Sequence, residues 1–326
     1  MTKHIYRILS LLVITVLLAS CAGFSPTTTQ EKTPIRIGWS LYPGWYPLVI
    51  AQEQGIFKKY NLEVELVLYE AYKDTAPQLA SGLVDGATLV LGDVLLEDVG
   101  NSSSIVLVTD NSDGADQLIA SPEVMQSQDL KGKRIGFSAG TFGELLVRDM
   151  LKKYNVAISD VELVEVPPEA VAGAIPVTID IGHTFEPFAS QARAKGNGVI
   201  YTSADSPGII VDTVAFTDKF IEERPEDVRN FINAWFEAVD FWQKNPQQGN
   251  EIIAAAIGQD VKDINFEGIK FFDRNANLAT FQPGSDTTSV IYTAQLELDF
   301  LASTGVISNR LDIAKILNPS FLKVEE

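Results

Sequence analysis

The sequence predicts an α/β protein of two lobes, joined by two chain crossings, with a helical C-terminal part packed on the first lobe. Three observations lead there. From residue 34 short apolar stretches alternate with amphipathic ones. The alternation resumes after residue 133, and beyond Pro225 the pattern is mostly helical. Strands alternating with helices are the signature of α/β folds.

Residues 35–40 read as a strand and 47–55 as a helix, with Pro47 at its start and Gly55 at its end. Residues 62–69 alternate as a strand does, and 74–81 form a second helix. The apolar, partly β-branched stretches 86–91 and 104–109 suit buried parallel strands. In the second unit 133–137 is a strand and 141–154 a helix with Leu145, Met150 and Leu151 as core contacts. Strands at 161–166 and 177–181, a helix at 186–195 and a strand at 199–202 follow. Crossings are expected near 116–120 and 209–217. Beyond them Val228, Phe231, Ile232, Trp235, Val239 and Trp242 recur at helical spacing, more the mark of a core face than of a ligand site. Helices at Pro246 and over 286–303 complete the chain. The expected division is lobe 1 over 34–115 and 212–326, and lobe 2 over 116–211.

Lys3 and Arg7 precede a short apolar run over 8–18, followed by Ala19, Ser20 and Cys21. The run is shorter than the ~20 apolar residues that span a bilayer and fits a secretory signal peptide over 1–20. Leu18-Ala19-Ser20-Cys21 resembles the bacterial lipoprotein cleavage box, which implies lipid attachment at Cys21. Residues 21–33 read as a tether. Cys21 is the single Cys of the 326 residues, so no intramolecular disulfide and no multi-Cys metal site can form. Removal of residues 1–20 takes Lys3 and Arg7 from the 25 basic residues and none of the 43 acidic ones, which moves the net charge from −18 to −20. That charge argues against nucleic-acid binding.

Residues 39–60 (WSLYPGWYPLVIAQEQGIFKKY) resemble the opening of binding proteins for nitrate, sulfonates, taurine and thiamine precursors. Ser81-Gly82-Leu83-Val84-Asp85-Gly86, Asp129-Leu130-Lys131-Gly132-Lys133-Arg134-Ile135-Gly136 and Phe185-Glu186-Pro187-Phe188 are similar to later markers of that family, in the same order. The resemblance implies the type II periplasmic-binding-protein fold and closure around a solute. Over 173–184 the chain departs from the family's usual Gly-x-Val-Asp-Ala, so no particular solute carries over.

Ligands of open α/β sheets bind beyond the carboxyl ends of the strands. That rule selects Tyr42, Trp45 and Tyr46, with Trp39 close by, for stacking a planar ligand or enclosing a cation. It also selects Asp93, the loop and helix start at Ser138, Thr141, Phe142 and Glu144, and His183, Glu186 and Asp212. Each has a plainer reading: some rings cap the first core, Glu144 complements a helix dipole, Glu186 caps a helix, and His183 is a hydrogen-bonded loop residue. No Lys or Arg falls in the selected loops. A buried anion usually recruits Arg, so the set favours a neutral or cationic nitrogenous solute, such as a thiamine precursor, over a sulfonate-type one. No catalytic residue, cofactor or metal is expected.

The resulting expectation is an exported solute-binding lipoprotein of an ABC importer, held at the outer face of the cell membrane or in the periplasm. Its partners would be a small-molecule solute, the transporter's permease and the membrane through the lipid, with no nucleic acid, and the chain would be a monomer. Two alternatives stand beside it: a solute-sensing lipoprotein serving a membrane receptor, and an enzyme like the thiamine-pyrimidine synthases, whose Cys-rich motif this sequence lacks.

Overall fold

Ile35 and Ile37 are fully buried on β1 (Ile35–Ser40), which the computed structural model sets between two parallel neighbours. The structure describes residues 33–127 and 129–323. The signal peptide, Cys21 and the tether through residue 32 lie outside the described residues. None of the described helices is long and apolar enough to cross a membrane.

The chain leaves β1 through a short turn into helix α1 (Pro47–Glu53), returns as β2 (Val64–Tyr69), and passes through α2 (Thr75–Ala80) to β3 (Gly86–Val90). A helical turn, α3 (Leu91–Val94), leads toward β4 (Ser103–Ser112). After three residues β5 (Asp116–Ala120) opens a second sheet. It continues with β6 (Arg134–Phe137), α4 (Phe142–Lys153), β7 (Glu162–Glu165), β8 (Ile181–Phe185), α5 (Phe188–Ala194) and β9 (Gly198–Thr202). The chain comes back as β10 (Val211–Thr217), then forms α6 (Pro225–Lys244), α7 (Pro246–Ile257), the edge strand β11 (Ile269–Phe271) and α8 (Val290–Thr304). The first sheet has the order β11-β4-β10-β3-β1-β2 and the second β7-β6-β8-β5-β9. Each is mixed, because the strand returning from the other sheet enters antiparallel. This is the two-lobed α/β architecture with two crossings that the sequence predicts.

Four details differ from the sequence expectations. β4 is buried along its whole length, yet it pairs antiparallel with β10 and β11; a continuous apolar run reports burial, not direction. The stretches 116–120 and 211–217 are strands, and the crossings are the segments 113–115 and 203–210 just before them. The strand expected over 177–181 lies at 181–185, and Val177 is 77% exposed. There the Arg134 guanidinium binds the carbonyls of Pro176 and Val177 at 2.9 and 2.7 Å and salt-bridges Asp180, which ties this segment down as a loop. On α4 the core contacts are Leu146, Val147, Met150 and Leu151, with Leu145 half-buried.

The two crossings lie side by side. The Ser203 hydroxyl meets Ser112 Oγ at 2.8 Å and accepts from Gly114 N, while Ser112 Oγ accepts from Asp116 N. The aromatic face of α6 packs on the first lobe: Phe231 stacks on Phe57 at 5.6 Å, and Trp242 lies 6.3 Å from Tyr46.

Beside β4, Asn277 acts as a one-residue strand. Its amide nitrogen donates to Val108 O and its oxygen accepts from Val108 N, both at 2.9 Å and fully buried. Asn277→Ala orphans both backbone groups, at about 1–3 kcal/mol each. The expected outcome is a fall in the urea midpoint equivalent to roughly 2 kcal/mol or more with an unchanged m-value; an unaltered midpoint contradicts this role.

Candidate functional site

Where the lobes meet, three strands bring aspartates together. Asp110 stands near the end of β4 and Asp212 near the start of β10, directly opposite one another in the antiparallel register, and Asp116 begins β5. Their exposures are 0%, 1% and 2%. Asp110 accepts from the Thr109 hydroxyl at 2.9 Å and from Tyr42 OH at 3.4 Å, and Asp116 Oδ1 lies 3.0 Å from His183 Nε2. Asp212 Oδ2 is buried with no hydrogen-bond partner. The turn after β1 reaches this cluster only because residue 44 is glycine. A Cβ there would sit 2.4 Å from Asp110 Oδ2 and 2.5 Å from the Tyr42 ring.

Aromatic rings from both lobes close over the acids. Tyr42 meets Trp45 at 5.1 Å and Phe185 at 6.0 Å, both edge-on. Tyr72 lies 5.6 Å from Trp45 and 5.7 Å from Phe142, and Phe142 stands 5.4 Å from His183. The Trp45 Nε1 and His183 Nδ1 atoms are buried without partners. The inner space bounded by Tyr42, Trp45, Tyr72, Phe142, Phe185, Asp116 and Asp212, with Val90, has a volume of about 10 Å³ and no basic side chain in its wall.

Tyr72 and Phe142 also form part of the wall of a second, outer cavity of about 610 Å³. Its lining comes from α2 and the turns around α3 on one side, and from Ser138, Thr141, Pro167 and Pro168 on the other. Asp93 faces it, accepting a short hydrogen bond from Tyr72 OH. The Tyr72 backbone N–H donates to Glu169 Oε1 of the second lobe at 3.0 Å, so the same residue holds the lobes together.

Burial governs the electrostatics. It pushes Asp110 up to about 7, with Asp116 adding to the effect, and Asp212 well above the carboxylate range, reinforced by Asp110 and Asp116. Burial raises Asp93 to about 6 against the opposing hydrogen bond from Tyr72. Behind Asp93, burial and the Asp93 charge raise Glu297 of α8. The phenols of Tyr42 and Tyr72 are raised by burial and by these acids.

Of the residues selected from sequence, Tyr42, Trp45, Phe142 and Asp212 meet around the inner space. Asp93, Ser138, Thr141 and again Phe142 border the outer cavity, where Thr141 caps α4 by accepting from Gly143 N. His183 backs the inner space through Asp116 and Phe142. Four residues fall elsewhere. Trp39 and Tyr46 pack on each other at 6.5 Å in the first lobe's core. Glu144 is neutralised by Arg148 at 2.6 Å, and Glu186 by Arg193 at 2.7 Å. Those arginines lie one and two helical turns past the loops, which is why a search of the loops alone misses them. Sequence reading also missed Tyr72, Asp116 and Phe185 as lining residues, and Asp110, the strand partner of Asp212. An acid close behind the apolar stretch 105–108 of β4 was the signal for Asp110. The loop after β2, which carries Tyr72, also satisfied the strand-end rule.

Residues 28–258 match the NMT1-like family. The chain belongs to the NMT1-like family. Among its relatives, a protein of Brucella abortus provisionally named a binding protein is 28% identical over 244 residues, covering 73% of this chain and 76% of that one. A protein of Haemophilus influenzae provisionally named for thiamine biosynthesis is 27% identical, covering 74% and 77%. The crystal structure of the periplasmic aliphatic sulphonate binding protein of Escherichia coli superposes with a TM-score of 0.71 at 17% identity, over 88% of this chain and 92% of that one. The fold of this NMT1-like chain is thus the periplasmic-binding-protein fold.

A carboxyl group whose pKa is raised on folding binds more protons in the native than in the unfolded chain, so its burial costs stability as pH rises. For Asp110 the window runs from the ordinary value near 4 to about 7. The expected outcome is that the stability of Asp110→Asn, relative to wild type, increases as pH rises through that window, measured by urea melts without solute. A pH-independent difference contradicts the buried-charge description.

Proposed function

We propose that this chain is an exported solute-binding lipoprotein of an ABC-type importer and that it captures a neutral or cationic nitrogenous solute between its lobes. The observation that carries the solute class is the Asp110, Asp116 and Asp212 cluster, buried under aromatic rings with no Lys or Arg in the wall. A carboxylate buried without a cation is costly, and a bound cation or a proton relieves it. Ionised, these groups accept from an amino group; protonated, they donate to a ring nitrogen. Both modes suit an aminopyrimidine, and the rings supply stacking and cation–π contact. The relative named for thiamine biosynthesis supports a thiamine precursor as the first compound to test. Nitrate or a sulfonate would instead meet three acids.

Calorimetric titration against a thiamine-type aminopyrimidine, a primary amine, nitrate, taurine and an alkanesulfonate separates the classes. Binding is expected for the first two. Asp212→Asn should weaken the cation by roughly 2 kcal/mol or more, and Trp45→Ala should cost about 1 kcal/mol. Tight binding of nitrate or a sulfonate, with none for the nitrogenous solutes, overturns the assignment.

The anchor rests on Leu18-Ala19-Ser20-Cys21. Cys21→Ala should move the protein from the membrane fraction to the soluble fraction or stall processing, read by fractionation and by intact mass for acyl chains. Wild-type protein recovered unacylated and freely soluble would remove the lipoprotein assignment.

A further inference from the structure

The inner and outer spaces described above differ in size by more than an order of magnitude and share two walls. The inner one, at about 10 Å³, is the size of a single water site, which needs roughly 10–15 Å³. An ammonium or amino group is of that size; a pyrimidine ring or a quaternary ammonium is not. The outer one, at about 610 Å³, falls in the range of small-molecule sites, roughly 300–1,000 Å³. Tyr72 and Phe142 border both spaces and meet edge-on at 5.7 Å, so a molecule reaching from the aspartates to the outer cavity has to part these two rings. The outer walls are more apolar than polar: Ala76, Pro77, Ala80 and Leu96 of the first lobe face Pro167 and Pro168 of the second, while Lys73, Asp98 and Glu169 also take part in the lining.

We propose that the solute is a primary amine whose terminal nitrogen enters the inner space against Asp116 and Asp212, while its uncharged ring or chain lies in the outer cavity beyond Tyr72 and Phe142. This inference rests on the reading of the cleft as a site for nitrogenous solutes, and it narrows that class in two ways. The charged end is unsubstituted, because added methyl groups would overfill the inner space. The remainder of the molecule is apolar or aromatic and contacts both lobes at once, because the outer cavity draws its walls from both. Asp93, half-buried in the outer cavity's wall and bound to the Tyr72 hydroxyl, accepts a second polar hydrogen from the solute near its nitrogen end.

The test uses the mature full-length protein and three kinds of probe in calorimetry. The first is a 4-alkylbenzylamine series, from benzylamine to 4-butylbenzylamine. The second is N,N,N-trimethylbenzylammonium, and the third is nitrate with an alkanesulfonate. The expected result is binding of benzylamine, a gain of roughly fourfold in affinity per methylene along the series, and a loss of roughly ten- to hundredfold for the quaternary ion, because added methyl groups overfill a closed cavity. Ala80→Trp should flatten the gain along the series. Ala80→Leu, a smaller change on a half-buried helix position, should reduce it, with thermal melts reporting whether each variant folds. Equal binding of benzylamine and its trimethylated form, or an affinity indifferent to chain length in the wild type, overturns the two-part site while leaving the nitrogenous reading in place. Binding of the anions and of none of the amines overturns both.

Discussion

Burial of three carboxyl groups at the junction of the lobes is the constraint on which the rest of this structure depends. Asp110, Asp116 and Asp212 occupy a region of low dielectric, where an isolated carboxylate costs several kcal/mol. Hydrogen bonds from Thr109 and Tyr42 offset part of that cost, and His183 approaches from the second sheet. Asp212 is left with an oxygen that no protein group satisfies. Groups in that position hold a proton or receive a positive partner, and burial together with Asp110 and Asp116 raises Asp212 toward its protonated form.

The location of the acids follows from how the two sheets are joined. Asp110 leads into one crossing, Asp116 leaves it, and Asp212 follows the other. The crossings are fastened to each other through Ser112 and Ser203, so the junction is one structural unit. Rings from the first lobe then meet rings from the second above that unit, with the Tyr72 to Glu169 hydrogen bond at the outer side. A molecule seated there would touch both lobes, and contacts to both would favour this arrangement over any in which they separate. Differential affinity of this kind is what shifts a conformational equilibrium.

The C-terminal helices contribute in a less visible way. α6 covers the first lobe with an aromatic face, and α8 sends the buried Glu297 against the turn that carries Asp93. Gly92 leaves no room for a side chain there, since a Cβ would sit 2.2 Å from Glu297 Oε2. The acidic character of the cleft therefore extends to a residue two hundred positions beyond Asp93 in sequence.

Periodicity and punctuation alone determined the order of elements in this protein, because a strand or an amphipathic helix is written in adjacent residues. Pro47, Pro225 and Pro246 mark helix starts, and the aromatic face of α6 is plain from its spacing. The strand-end rule found Tyr42, Trp45, Phe142 and Asp93 for the same reason: a loop's composition is local. What only tertiary structure decided is which charges meet. Asp110 and Asp212, more than a hundred residues apart, become neighbours only through strand register. Electrostatics depends on distance in space, and no local pattern in the chain records it.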